Sequence, residues 1–211
     1  MYLRALVTGF EKWGEEPGNP TEKLVKLLDG RKLGGIEIYT HLLPVSFKRA
    51  REEIVSKIKE VKPDIIINTG LAASRLVISI ERVAVNIIDA RTPDNDGLRP
   101  IDEPIDPEGP FAYPSTLPTR RILERLKSSG IPARLSYSAG TYLCNFVMYL
   151  SLRTVDKMGM RTLAGFIHVP YTPDLAAKKE KPAPSMSLDL IRRAVEIALE
   201  ESSTELSKIG S

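Results

Sequence analysis

The sequence predicts an α/β protein, a three-layer α/β/α sandwich with a mainly parallel mixed sheet. Short apolar runs typical of strands alternate along the chain with amphipathic segments typical of helices, and parallel strands need crossover helices that cover the faces of their sheet. The run Ile65-Ile66-Ile67 is apolar on both faces, which is typical of a central parallel strand. We expect a single domain over residues 1–201, followed by a flexible tail at 202–211.

The first half of the chain predicts two strand–helix units. A strand at Leu3 to Thr8 leads to a helix that begins at Asn19-Pro20-Thr21-Glu22. Asn19 is the predicted cap, Pro20 the first helical residue and Glu22 the reciprocal capping partner. A strand at Ile36 to Leu43 then precedes a helix that is capped by Ser46 and buries a stripe comprising Ala50, Ile54, Ile58 and Val61.

The second half continues the alternation after a strand that ends at Thr69-Gly70 and an extended stretch at Leu76 to Ile88. The segment Ala90 to Pro118 is rich in Pro, Asp and Gly and predicts a long loop without elements of its own, which we expect to border a functional site. The remaining predicted elements are a helix from Pro118 to about Ser129, a strand at Arg134 to Ser138, a helix at Tyr142 to Met158, a strand at Arg161 to Val169 and a helix from about Ser187 to Glu201.

Composition excludes several classes of function. The net charge of +3 comes from 30 basic and 27 acidic residues that are interspersed along the chain, so a nucleic acid is not an expected partner. No apolar run is long enough to span a membrane, and no signal peptide precedes Leu3. One cysteine fits a reducing compartment, so we expect a cytoplasmic protein. The absence of glutamine favours a thermophilic source.

The single cysteine lies where a nucleophile would gain reactivity. Ligands of open α/β sheets bind beyond the carboxyl ends of the strands, and Cys144 follows a predicted strand at the start of a predicted helix. Backbone N–H groups there stabilise a thiolate and could bind an oxyanion. The alternative is a buried structural cysteine, and placement alone does not decide between the two.

Two further side chains could complete a catalytic group. His168 ends an apolar strand at the same sheet edge and could act as a base, although a core histidine bonded to the backbone is the commoner arrangement. Glu81 lies in an apolar stretch, where a carboxylate needs a partner. It could orient the histidine or simply pair with Arg82 or another arginine. His41 lies inside a strand and is interpreted as structural.

The loop Gly9-Phe10-Glu11-Lys12-Trp13-Gly14 places two aromatic side chains after the first strand. These side chains could wall a small apolar pocket. The competing interpretation is a phosphate-binding loop, but the Lys-Ser/Thr ending of a P-loop and the spacing of a dinucleotide fingerprint are both missing.

Five segments together resemble the pyroglutamyl peptidases, or pyrrolidone carboxyl peptidases, of archaeal, thermophilic type: GFEKWG followed by NP, GLAASR, ISIERVAVNIIDARTPDNDG, SAGTYLCNFVMY and GFIHVPYTPD. They match the family in order and spacing over nearly the whole chain. The resemblance implies a phosphorylase/hydrolase-like α/β/α fold, commonly assembled as a homotetramer. It also implies removal of an N-terminal pyroglutamyl residue from peptides through a thioester, without metal or cofactor.

By this resemblance Glu81, Cys144 and His168 match the family's catalytic triad. It further assigns a group of residues to substrate binding, namely Phe10, Trp13, Asn19, Leu71, Arg91, Tyr142 and Leu143. The aromatic pair would hold the neutral lactam, Asn19 would help to fix it, and Arg91 would lie near the reacting carbonyl.

The chain departs from the family's pattern at several positions. Lys12-Trp13 replaces the usual Pro-Phe, Ser74 replaces a glycine, and Ser187 replaces a cysteine of some archaeal relatives, which excludes an intersubunit disulfide there. The first two departures keep an alternative open, a lactam-binding protein without turnover. A related amidohydrolase, or a nucleoside phosphorylase on a similar layered fold, is the other alternative.

Overall fold

The computed structural model describes residues 2–209. Its strands are β1 (Leu3–Phe10), β2 (Lys32–Leu33), β3 (Ile36–Leu43), β4 (Ile65–Leu71), β5 (Ile78–Glu81), β6 (Val83–Val85), β7 (Ala112–Pro114), β8 (Ala133–Ser136) and β9 (Leu163–Val169). Its helices are α1 (Pro20–Leu28), α2 (Phe47–Val61), α3 (Thr119–Ser128), α4 (Leu143–Lys157), α5 (Pro173–Ala176) and α6 (Leu188–Ile209).

Seven strands form one mixed sheet in the order β2-β3-β1-β4-β9-β5-β8. The neighbours β3, β1, β4 and β9 are parallel to one another. Edge strand β2 is antiparallel to β3, and β5 is antiparallel to β9. The predicted mainly parallel mixed sheet is therefore confirmed.

Helices cover both faces of this sheet. On one face α1, α3 and α6 contribute Leu24, Ile122 and Ile191 to a buried cluster. On the other face α2 and α4 bury Ile54 and Val147 against the sheet. The two clusters make up the core of the predicted α/β/α sandwich.

The predicted helix starts are largely confirmed. Asn19 caps α1, with its Oδ1 accepting from the Thr21 N–H at 3.1 Å, and Ser46 caps α2 by accepting from the Arg49 N–H at 3.2 Å. The reciprocal capping role of Glu22 is wrong, because its carboxylate instead pairs with Lys26 at 2.8 Å, one helical turn further on.

Some short or terminal elements differ from the sequence expectations. The loop at 90–118 contains β7, which pairs with β6 in a separate two-stranded sheet, and three residues are too few to show a period. Strand β2 and helix α5 were not predicted. Helix α6 continues beyond Glu201, so the segment expected to be a flexible tail is helical over 202–209. Ser202 is buried there, and Arg121 on α3 forms ion pairs with Glu201 and Glu205 of α6. Residues 210 and 211 lie outside the described residues.

Within residues 2–209, no helix combines the length and the apolar character needed to cross a membrane.

Candidate active site

The candidate site lies where β1, β4 and β9 end, on the face that α2 and α4 cover. His168 is the penultimate residue of β9, and its register partner on β4 is Gly70. Cys144 is the second residue of α4. The carboxyl ends of β1, β4 and β9 thus meet at this edge as expected. Strand β8, which precedes Cys144, instead runs antiparallel to β9, and Cys144 reaches this edge at the start of α4.

Glu81 orients the imidazole of His168. Ser79 is paired with His168 across the antiparallel β5–β9 ladder, so Glu81, two residues further along β5, points to the same face of the sheet. Glu81 Oε1 lies 2.8 Å from His168 Nδ1, and the Glu81 side chain is fully buried. An Nδ1–H that donates to this carboxylate leaves Nε2 unprotonated, as a base requires.

Gly70 allows the nucleophile to approach the histidine strand. A Cβ at Gly70 would lie 2.9 Å from Cys144 Sγ and 2.8 Å from the ring of Phe166, both far inside normal contact. The Phe166 ring also packs on His168, with centroids 4.7 Å apart. The thiol therefore lies in the space that a side chain at position 70 would fill, and Gly70 is the register partner of His168 on β4. Within residues 2–209 no hydrogen bond joins Cys144 to His168.

The thiol and the imidazole are both held in their neutral forms. Burial raises the pKa of Cys144 to about 12, and the charge of Glu81 adds to this shift. Burial also lowers the pKa of His168, against the opposing effect of its hydrogen bond to Glu81. The expected stabilisation of a thiolate by the helix terminus is therefore wrong for the resting site, because desolvation outweighs it.

Glu81 remains ionised in spite of its burial. Burial alone would raise its pKa, but the hydrogen bond with His168 and the charge of Arg75 leave the pKa of Glu81 lowered. Its other oxygen, Oε2, has no hydrogen-bond partner among the described residues. The orientation of the carboxylate therefore depends on Oε1.

The beginning of α4 offers donors beside the thiol. The cap residue Tyr142 makes no side-chain hydrogen bond to the first N–H groups of the helix, and those groups have no acceptor within the helix. Asn145 fixes this end of α4, with Oδ1 accepting from the Val85 N–H at 2.9 Å and Nδ2 donating to the carbonyls of Val85 and Ile87. The N–H groups next to Cys144 are thus available to a developing oxyanion.

A small cavity of about 90 Å³ opens onto the thiol. One water molecule needs about 10–15 Å³, so the cavity can hold a small ring. Its wall is mostly apolar and comprises Phe10, Trp13, Glu16, Gly18, Asn19, Val45, Leu71, Tyr142, Leu143 and Cys144. The carboxylate in the wall, Glu16, pairs with Lys179 at 3.0 Å and accepts a hydrogen bond from the hydroxyl of Tyr171.

Trp13 forms the outer rim of this cavity. Its ring packs against Tyr142 at a centroid distance of 5.8 Å, and Tyr142 packs edge-on against Phe47 at 5.2 Å. The Tyr142 hydroxyl donates to the carbonyl of Pro93 at 3.0 Å, which brings the long loop to the site as expected. The bulk of Trp13 therefore extends the wall and leaves the cavity open.

Comparison with known proteins identifies the family. The family model described as pyroglutamyl peptidase matches residues 3–205. The pyrrolidone-carboxylate peptidase of Thermococcus litoralis is 49% identical over 209 residues, which cover 97% of this chain and 95% of the relative. That of Pyrococcus furiosus is 50% identical over 207 residues, covering 94% and 99%. A solved pyrrolidone carboxyl peptidase from Thermococcus litoralis superposes with a TM-score of 0.95 at 48% identity, covering 98% of this chain and 96% of that one.

The chain belongs to the pyroglutamyl peptidase family. In this family member every residue that the resemblance assigned to substrate binding, except Arg91, lines the cavity. Arg91 is exposed and lies outside the lining, so its place near the reacting carbonyl stays a prediction. His41 pairs with Glu53 at 2.9 Å, on α2. Among the described residues, no group of three or more His, Cys, Asp or Glu side chains could hold a metal ion.

Sequence reasoning missed several contributors to the site of this pyroglutamyl peptidase family member. Arg75 contacts Glu81 directly at 2.5 Å, and its only signal was its position in the GLAASR segment. Asn145 and Gly70 lacked a signal of their own, because their roles depend on contacts with residues distant in sequence. Val45 and Glu16 in the cavity wall were also missed.

Proposed function

We propose that this protein is a cysteine peptidase that removes an N-terminal pyroglutamyl residue from peptides. Cys144 is the nucleophile, His168 the general base and Glu81 the group that orients the base. The observation that carries the proposal is the buried Glu81–His168 hydrogen bond of 2.8 Å. Gly70, the register partner of His168 on β4, leaves room for the Cys144 thiol at the wall of a small apolar cavity.

The reaction begins from the neutral thiol and the neutral imidazole. Nε2 of His168 accepts the thiol proton as Sγ attacks the pyroglutamyl carbonyl, and the N–H groups at the start of α4 stabilise the oxyanion. The imidazolium then protonates the leaving amine, and a water molecule activated by His168 hydrolyses the thioester. Hydrogen bonds between nucleophile and base are often long before substrate binds, which is consistent with their absence here.

The cavity suits an uncharged ring. Phe10, Val45 and Leu71 would pack against the lactam, and the second Nδ2–H of Asn19 would donate a hydrogen bond to it. The other groups of Asn19 are used, because Nδ2 donates to the Glu11 carbonyl while Oδ1 accepts from the N–H and the hydroxyl of Thr21. A prolyl ring would bring a cationic nitrogen into this apolar wall and would lack the ring carbonyl.

Selective turnover tests the proposal. We expect release of a chromogenic amine from a pyroglutamyl amide to exceed release from the matched prolyl amide by about 10⁴-fold in kcat/KM, since a site that hydrogen-bonds a substrate group rejects the analogue without it. Equal turnover of the two amides would contradict the specificity. Binding of the lactam without turnover would favour the alternative, a lactam-binding protein.

The pH dependence of kcat/KM should report the ionisation of His168. Activity requires the neutral imidazole, and burial places its pKa below the ordinary value of 6.5. We therefore expect kcat/KM to be constant from about pH 8 to about pH 6.5 and to fall tenfold per pH unit only below the His168 pKa. A profile measured in one constant-ionic-strength buffer series tests this, and a limb centred above pH 7 would contradict the neutral pair.

The assembly and location of the protein belong to the same proposal. The family resemblance supports a homotetramer. The unpaired Cys144 fits a reducing compartment and so supports a cytoplasmic location.

A further inference from the structure

Glu81 accepts a second hydrogen bond, from the guanidinium of Arg75. Nη1 of Arg75 donates to Glu81 Oε1 at 2.5 Å, and His168 Nδ1 lies 2.8 Å from the same oxygen. The Arg75 side chain is only 16% exposed. A buried carboxylate is costly without an opposite charge, and a neutral His168 supplies none. Arg75 is thus the cation that pairs with Glu81 in the resting site.

The other arm of the same guanidinium reaches the loop that precedes the nucleophile. Nη2 of Arg75 donates to the carbonyl of Ser138 at 2.9 Å, and the Ser138 hydroxyl accepts from the Gly140 N–H at 3.2 Å. This loop leads directly into α4, which carries Cys144. Because a guanidinium group is rigid and planar, these two hydrogen bonds fix the position of the Glu81 carboxylate relative to the loop that precedes Cys144.

We propose that Arg75 is a positioning residue of the catalytic group, which holds Glu81 in place against the loop before Cys144 and keeps His168 in its neutral, proton-accepting form. The proposal rests on the function proposed above, because it concerns the same site. Arg75 acts through Glu81 and does not line the cavity, so it is not expected to contact substrate.

The electrostatic surroundings of His168 support this role. The titratable groups that act on the imidazole are Glu81 from β5 and Arg75 from the loop between β4 and β5. Cys144 on α4 lies against Gly70, the register partner of His168 on β4. Burial lowers the pKa of His168 most, Glu81 opposes that effect, and the charge of Arg75 lowers the pKa further. Without Arg75 the buried carboxylate would favour an imidazolium partner, which cannot accept the thiol proton.

Arg75→Met should impair turnover and leave substrate binding intact. We expect kcat to fall about 100-fold, the scale of a small misplacement of reacting groups, with KM within twofold of wild type. The acid limb of kcat/KM should move to higher pH. Arg75→Lys keeps the positive charge but loses the pair of guanidinium donors. It should therefore return the acid limb of the kcat/KM profile towards wild type and recover kcat only in part.

The ionisation of His168 can be followed without any turnover. The chain has 2 histidines, so an NMR titration of the imidazole resonances is assigned by comparison with a His41→Asn variant. We expect His168 to titrate at higher pH in Arg75→Met than in wild type, with the His41 resonance as internal reference. This result is independent of whether a pyroglutamyl amide is hydrolysed, so it separates a failure of this proposal from a failure of the proposed function.

Arg82→Met is the matched control. Arg82 follows Glu81 in sequence, but it bonds through its backbone: its N–H donates to the Ser136 carbonyl at 2.7 Å, and its carbonyl accepts from the Ser115 N–H at 2.9 Å. Arg82→Met should leave kcat and the His168 titration unchanged. The proposal is overturned if Arg75→Met leaves kcat and the His168 titration at wild-type values, if only KM rises, or if Arg82→Met has the same effect.

Discussion

Cys144→Ala is expected to abolish peptidase activity, with a loss in kcat on the order of 10⁶-fold, the loss typical when a covalent nucleophile is removed. No acyl-enzyme can form without Sγ, whereas the cavity and the N–H groups of α4 remain. Lactam affinity should therefore stay within a few fold of wild type. Steady-state hydrolysis of a pyroglutamyl amide and calorimetric binding of the free lactam measure the two quantities on one sample.

The chain offers an independent check of this result. It contains 1 cysteine, so alkylation of wild type modifies Cys144 alone and should reproduce the loss of turnover. Thermal unfolding of Cys144→Ala establishes that the fold is intact, since this variant removes only one sulfur atom at the cavity wall. Residual activity above about 1% of wild type, beyond any background of the assay, would place the nucleophile elsewhere.

The position of His168 beside Gly70 could be anticipated from sequence because hydrophobic pattern determines where strands end. The apolar runs at Ile65 and Leu163 predict parallel central strands, and their carboxyl ends must meet at one sheet edge. The segments after them therefore had to be neighbours. The hydrophobic period and the length of each apolar run indicate where a strand ends, and neither depends on contacts between residues distant in sequence.

The partner of Glu81 could not be read from sequence. Pairing with Arg82 or another arginine and orientation of His168 were both open, and the structure has the carboxylate contact His168 and Arg75 together. The contact depends on β5 lying antiparallel to β9, a register set by tertiary packing. The connection between β4 and β5, at 72–77, is too short for a crossover helix. This shortness could have indicated that β5 reverses direction relative to β4 and β9.

The resting state of the thiol was misjudged for a different reason. A helix start is visible in sequence, and it favours a thiolate. The desolvation that raises the pKa of Cys144 to about 12 depends on residues distant in sequence, such as Gly70, whose β-carbon position lies 2.9 Å from Sγ. Burial of this kind is a property of the assembled core, which local sequence does not report.

Glu81→Gln is expected to lower kcat about 10⁴-fold, the loss seen when a triad carboxylate becomes an amide. An amide oxygen placed at Oε1 can still accept from Nδ1, but its NH₂ then occupies the buried Oε2 position, which has no hydrogen-bond partner among residues 2–209. The opposite orientation forces Nδ1 to accept, so Nε2 carries the proton and cannot act as base. Neither orientation supplies the charge that stabilises the imidazolium during attack.

The pH profile of Glu81→Gln distinguishes this mechanism from general damage. Glu81 raises the pKa of His168, so its neutralisation should move the acid limb of kcat/KM to lower pH, the opposite of the shift expected for Arg75→Met. The matched control is Glu53→Gln, which neutralises the carboxylate paired with His41 at 2.9 Å and should leave kcat and the acid limb unchanged. Near-wild-type turnover by folded Glu81→Gln, or an equal loss in Glu53→Gln, would remove Glu81 from the catalytic group.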